Sequence, residues 1–250
     1  MISATTIDEV IAQLDNIIDW CKTKQSRIGY FACLYRKMTL AVKQGIANGN
    51  FENGQRMELL DVIFANRYLQ AWEAYTNKKP CTNAWCKAFD ATSNNNLIVL
   101  QHLLLGINTH INLDLGIAAA QACPGSKIYD LEADFNKINY VISSLMQNVQ
   151  EDLSEVWPPL KLLTAITNNQ QDVVLNFSIS AARKASWVNA MALAVIPEEN
   201  GQSYINTMDN TVVTLANRII NPGFIMSLLL KPVERMEDDN VSNIINKLHD

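Results

Sequence analysis

His102-Leu-Leu-Leu-Gly106-Ile-Asn108-Thr-His110-Ile-Asn112-Leu-Asp114 lies inside the longest apolar stretch of the chain, and its spacing decides how the rest is read. At about 3.6 residues per turn, His102, Gly106, His110 and Asp114 follow one another at intervals of four along a slowly drifting row. Leu103, Leu113 and Ile117 flank that row, whereas Gln101, Asn108 and Asn112 fall on another side. A helix is predicted from Leu97 to about Cys123, launched by Asn94-Asn95-Asn96 and closed by Pro124-Gly125. Its polar interruptions would be costly in lipid, so it reads as the buried centre of a fold and not as a membrane span.

Helical periodicity extends outward on both sides. Thr6 followed by Glu9 has capping-box spacing, and Ile7, Val10, Ile11, Leu14, Ile17 and Ile18 predict a first helix to about Lys22. Phe31, Leu34, Tyr35, Met38 and Val42 make the stripe of a second, from Arg27 to about Ala47, stopped by Asn48-Gly49-Asn50. Asn53 caps a third to about Tyr75, with Leu60, Phe64, Tyr68, Ala71 and Tyr75 on one side. Residues 81–94 read as a long irregular connection with a short helical turn at most. Ser126 caps a fifth helix to about Ser154, broken by Trp157-Pro158-Pro159. Further helices are predicted near 159–167, from Gln170 to Val195, near 205–220, at 223–231 and at 238–249. The fold class is therefore all-α: one orthogonal bundle of about eight to ten helices, spanning 1–250, around the central helix at 97–123.

Composition agrees. Hydrophobic residues make up 48% of the chain and charged residues only 18%, so helices are buried on more than one side. Nine glycines and seven prolines are too few for a sandwich or barrel, which needs frequent turns. The net charge of −5 is scattered, and nothing forms a phosphate-binding stripe, which argues against nucleic acid as a partner. The five cysteines are mostly embedded in apolar helical stretches, where cysteine acts as a small hydrophobe, and a reducing, cytoplasmic compartment fits them. Cys81 and Cys86 are too far apart for a zinc knuckle. No signal peptide is visible at the N-terminus.

The chemistry-bearing residues concentrate on the central helix. A carboxylate one turn beyond an imidazole can orient the ring, fix its tautomer and raise its basicity, as a general base or a metal ligand requires. The structural alternative is that His102, His110 and Asp114 satisfy one another and nearby carbonyls within a core. Gly106 weakens a helix by about 1 kcal/mol relative to alanine, which points to another backbone or a bound molecule close by. Arg56 and Arg67 project from the side of helix three that carries Leu60, Phe64 and Ala71, with Asp61, Tyr68 and Trp72 adjoining. A buried arginine must find an anion: Asp114 or Asp61 structurally, a substrate carboxylate or phosphate functionally. Arg27 lies on the aromatic stripe of helix two with Phe31, Tyr35 and Met38. Asp130, Glu132 and Asp134 at the start of helix five read as complements to its dipole. Asp238-Asp239-Asn-Val-Ser242 faintly resembles a magnesium motif of helical terpene cyclases, but Asn246 stands where a glutamate is wanted and no aspartate-rich first motif accompanies it.

Three stretches carry a family resemblance: Arg27-Ile-Gly-Tyr30-Phe31-Ala-Cys-Leu34-Tyr35-Arg36, Arg56-Met-Glu-Leu-Leu-Asp61-Val-Ile-Phe64-Ala-Asn66-Arg67-Tyr68, and Gly106-Ile-Asn-Thr-His110-Ile-Asn112-Leu-Asp114-Leu. Together they resemble an uncharacterised helical family, domain-of-unknown-function family 5995, over the first half to the whole of the chain. That resemblance implies a fold and a cluster of residues but no substrate. A more distant likeness is to zinc-dependent phospholipase C and single-strand nuclease folds, in which an HxxxD pair binds zinc. Their other ligands, an N-terminal tryptophan and additional histidines, have no matching positions here.

The residues lead to one functional expectation and one alternative. The helices are expected to enclose a pocket in which His110 is base or ligand, Asp114 orients it, His102 is a second acid or ligand, and Arg67 neutralises negative charge. Tyr35, Asp61, Tyr68 and Arg27 would contact a small, largely apolar substrate. The chemistry would be acid–base or assisted by one divalent metal on His110 and Asp114, in a hydrolase, lyase or cyclase. The alternative is a non-catalytic helical ligand carrier or interaction domain whose His/Asp row is structural.

Overall fold

The structure is a computed structural model that describes residues 3–138, 179–238 and 240–249. The later part of the fifth predicted helix, the segment near 159–167, Trp157, the beginning of the helix predicted from Gln170, and Asp239 lie outside the described residues. The chain is an all-α bundle, with no strand among the described residues.

Three helices open the fold. Thr6 caps α1 (Ile7–Lys24) by accepting a hydrogen bond from the Glu9 amide, and Gln25, at φ 52°, ends it in the left-handed region. In α2 (Ile28–Ala47) almost the whole first half is buried, from Ile28 through Tyr35. Gly49, at φ 69°, takes the chain out of that helix, a conformation glycine adopts without steric cost. Asn53 then caps α3 (Gly54–Thr76) by accepting from the Arg56 amide.

The connection predicted at 81–94 is more ordered than its polar composition suggested. It contains α4 (Asn83–Asp90), followed by a 3-10 turn at Ala91–Ser93. Its start is fastened three ways. Thr82 Oγ1 accepts from the Trp85 amide, buried Asp209 accepts from the amides of Asn83 and Ala84, and a disulfide joins Cys81 to Cys86. Tertiary capping of this kind overrides weak local helix propensity. These two cysteines, whose spacing excludes a zinc knuckle, are joined to each other instead. Cys21, Cys33 and Cys123 are free and buried.

The central element is interrupted. Helix α5 (Val99–Thr109) passes into a π-helical turn at His110–Asp114, where the Leu115 amide reaches back to the His110 carbonyl, before α6 (Leu115–Ala122) resumes. By length and composition Val99–Ala122 could cross a membrane, but 83% of its apolar window is buried inside the fold, as a core helix should be. The next segment begins as a 3-10 helix, Gly125–Leu131, and becomes α-helical only at 132–138, later than the cap at Ser126 implied.

The described remainder comprises α7 (Ile179–Val195), α8 (Glu198–Ile220), α9 (Phe224–Glu234) and α10 (Val241–His249). Helix α8 begins about two turns earlier than predicted because Pro197 and the two acids after it suit a helix start. Around the central element, α5 packs on α2, α4 and α8, whereas α6 packs on α3 and α7. The π-turn between them faces α3, α7 and α8.

Candidate active site

Asp114 lies at the end of the π-turn, fully buried, and both of its oxygens are engaged. Oδ1 accepts from Arg67 Nε at 2.8 Å, while Oδ2 accepts from Trp85 Nε1 at 2.8 Å and lies 3.1 Å from His110 Nδ1. Burial pushes the Asp114 carboxyl up, but the Arg67 guanidinium and the bonds from His110 and Trp85 outweigh it and hold the group below the ordinary carboxylate range. It is a carboxylate in a dry place.

His110 is the opposite case. Burial pushes its pKa down, Asp114 pulls it partly back, and Arg67 adds to the depression, so the ring is neutral at pH 7. A neutral ring beside a carboxylate carries its proton on the nitrogen that faces it, here Nδ1. Nε2 is then a lone-pair acceptor, and it is buried without a hydrogen-bond partner. The imidazole stacks on Phe64, with ring centroids 3.6 Å apart and planes 9° from parallel, and Tyr35 meets its edge at 4.4 Å.

His110 borders a cavity of about 80 Å³, walled largely by hydrocarbon from α2, α3 and the central element. Tyr35 and Asp61 line the same cavity. Asp61 Oδ2 is buried without a partner, and the Tyr35 hydroxyl makes no bond of full geometry, with only Thr39 near enough to offset its burial slightly. Burial, reinforced by Glu58, pushes Asp61 up to about 7. Three under-satisfied polar groups on one apolar cavity are unusual, because buried polar atoms are nearly always paired.

His102 does not join this group. It lines a separate, smaller void with Arg27, Tyr68, Trp85 and Phe89. Residues eight apart on an α-helix have drifted about 80° around its axis, and the Phe31 ring fills the gap by lying directly on Gly106. A Cβ there would sit 2.3 Å from Phe31 Cγ. The close neighbour that the glycine foretold is thus an aromatic side chain, not a backbone or a bound molecule. Burial, and secondarily the Arg27 charge, push His102 down to about 3, so it is a neutral core histidine beside Tyr30.

The remaining candidates divide. Arg67 takes the structural partner foreseen for it in Asp114. Arg56 binds neither Asp114 nor Asp61: it pairs with Asp134, which also accepts from the amides of Glu52 and Asn53 and fastens the start of α3. Asp134 is therefore a buried tertiary clamp as well as a first-turn acid. Arg27 donates to the Thr92 carbonyl, and Tyr68 packs under the site against Phe31 and Trp85 without lining the larger cavity. Trp85 and Phe64 are the important residues that the pattern did not single out. Only its place as an apolar residue in a polar segment marked Trp85, and Phe64 was visible merely as part of a stripe.

The donor set does not fit a divalent metal on His110 and Asp114. Both carboxylate oxygens already accept hydrogen bonds, one of them from a guanidinium whose charge opposes a second cation. Among the described residues no group of three His, Cys, Asp or Glu side chains is placed to hold a metal ion.

Fold and site together define a helical domain with a buried Asp–His pair opening on an apolar cavity. The model of a family of unknown function, DUF5995, matches residues 7–222, and the chain belongs to that family. No curated protein and no solved structure matches the chain.

Proposed function

We propose that the cavity is the active site of an enzyme that moves protons on a small, largely apolar molecule, with His110 Nε2 as general base. The observation that carries this reading is the unpartnered, buried Nε2 of a histidine that lines the cavity, with its ring held on the other side by Asp114. Taking a proton turns the ring into an imidazolium, which Asp114 stabilises across the Nδ1 bond. Arg67 and Trp85 keep Asp114 ionised and correctly aimed. Tyr35 and Asp61 receive the polar end of the substrate.

No serine or cysteine lines the cavity among the described residues, and the Thr39 hydroxyl donates to the Tyr35 carbonyl. Among the described residues, the cavity wall therefore offers no serine or cysteine nucleophile for a covalent acyl-enzyme. The reading favours proton abstraction, as in a lyase or cyclase, or hydrolysis by a water that His110 deprotonates.

A carrier role is the second reading, favoured by the hydrocarbon wall and by Phe64, which covers one face of His110. Incubation with a mixture of apolar metabolites, followed by mass spectrometry, separates the two. At least one compound should be consumed by the native protein and spared by a folded His110→Gln variant. Consumption by both would remove His110 from the chemistry, and binding without consumption would leave the carrier.

A further inference from the structure

Two acceptors on residues lining the cavity beside His110 lack a donor. Asp61 Oδ2 and His110 Nε2 are both buried and neither meets a donor. The Tyr35 hydroxyl can act either way. Arg183, the guanidinium on this wall, donates from Nη2 to the Phe135 carbonyl at 2.6 Å and lies 4.5 Å from the centre of the Phe135 ring. Phe31, Tyr35 and Phe64 supply aromatic surface on the same space, with the thioethers of Met38 and Met57 beside them.

A carboxylate oxygen held out of water without a partner is unfavourable, and aromatic faces attract cations. A ligand that completes this site brings N–H donors and positive charge on a small apolar body. An alcohol would satisfy one acceptor only, and a carboxylate would confront Asp61 with like charge. We propose that the cavity binds a small organic ammonium ion, with its N–H groups taken by Asp61 and its apolar body against Phe31, Phe64 and Met38. This rests on the reading of the cavity as a substrate site and names the substrate class as an alkylamine.

The charged and titratable groups that line the cavity with Asp61 are His110, Tyr35 and Arg183, and Glu58 on its own helix adds to the effect of burial on it. Because burial leaves Asp61 protonated below about pH 7, amine affinity should rise between pH 5.5 and 8. It should hold until the amine itself loses its proton near pH 10 or so.

The test is calorimetric titration of the whole chain with n-butylamine, n-butanol and butyrate. At pH 8 the amine should bind at least about tenfold more tightly than the alcohol, the worth of one charge-assisted hydrogen bond, and butyrate more weakly than either. Asp61→Asn should abolish that preference while retaining the alcohol affinity. Equal binding of amine and alcohol by the native protein, or an amine affinity untouched by Asp61→Asn, would overturn the proposal and leave the cavity as a substrate site. Binding of neither would defeat the cavity as a substrate site as well.

Discussion

Trp85 Nε1 and His110 Nδ1 share one oxygen of Asp114, at 2.8 Å and 3.1 Å. A residue from α4 thus sets the electron density available to an imidazole on the central element. The disulfide and the Asp209 clamp that fasten α4 act on the site through this bond. Trp85→Phe keeps most of the packing and removes the donor. It should cost about 1–3 kcal/mol in urea unfolding. It should also raise the His110 pKa measured by NMR, because Asp114 then has more charge to offer the imidazolium.

Arg67 and Asp114 form an ion pair with one partner fully buried and the other about a fifth exposed. Removing the guanidinium leaves a carboxylate in hydrocarbon, so Arg67→Met should destabilise by about 3 kcal/mol. Adding Asp114→Asn to that variant should recover part of the loss, read as a coupling energy in a double-mutant cycle. Asp114 has its folded pKa lowered, so its contribution is present above its unfolded value near 3.8 and is lost as pH falls through the folded value. Acid unfolding of the native chain should be steeper below pH 4 than that of the double variant.

Asp61 has the opposite sign. Its folded pKa of about 7 exceeds the ordinary 3.8, so its contribution to stability is greatest below pH 3.8 and is lost progressively up to about pH 7. At about 1.4 kcal/mol per pH unit the loss is on the order of 4 kcal/mol. Asp61→Asn should therefore be more stable than the native protein at pH 8, with the advantage shrinking towards pH 4 in thermal melts. A variant less stable at pH 8 would show that Asp61 is satisfied in the empty protein.

Gly106→Ala tests the packing that separates the two histidines. Alanine would improve helix propensity by about 1 kcal/mol, but its Cβ meets Phe31 at 2.3 Å. Phe31 packs against Tyr35, Tyr68, Trp85 and His110, and the new Cβ meets its Cβ and Cγ, which cannot swing away as the far end of a flexible side chain could. Overpacking of this kind costs about 1–3 kcal/mol or more, so net destabilisation is expected in denaturant unfolding. Phe31→Leu should restore most of it.

Much of this was legible in the residues. The fold followed from apolar spacing, and the caps at Thr6, Asn53 and Gly49 stand where the sequence placed them. The His110–Asp114 pair and its link to Arg67 followed from four-residue spacing plus the need of a buried arginine for an anion. What escaped depends on long-range packing. Nothing local distinguishes the π-turn at His110–Asp114 from α-helix, and α4 owes its form to Asp209, more than a hundred residues away. His102 looked equivalent to His110 because the row seemed continuous, but helical drift and the Phe31 ring place the two in different voids.

At the centre of the site His110 is a neutral imidazole with its proton on Nδ1 and a buried, unpartnered Nε2. Long-range proton–nitrogen NMR of the histidine rings, followed from pH 5 to 8, measures that state directly. The account predicts the Nδ1-protonated tautomer at pH 7, a pKa below the ordinary 6.5, and an Nε2 signal that shifts when n-butylamine is added. An imidazolium at pH 7, or a proton resident on Nε2, would contradict it.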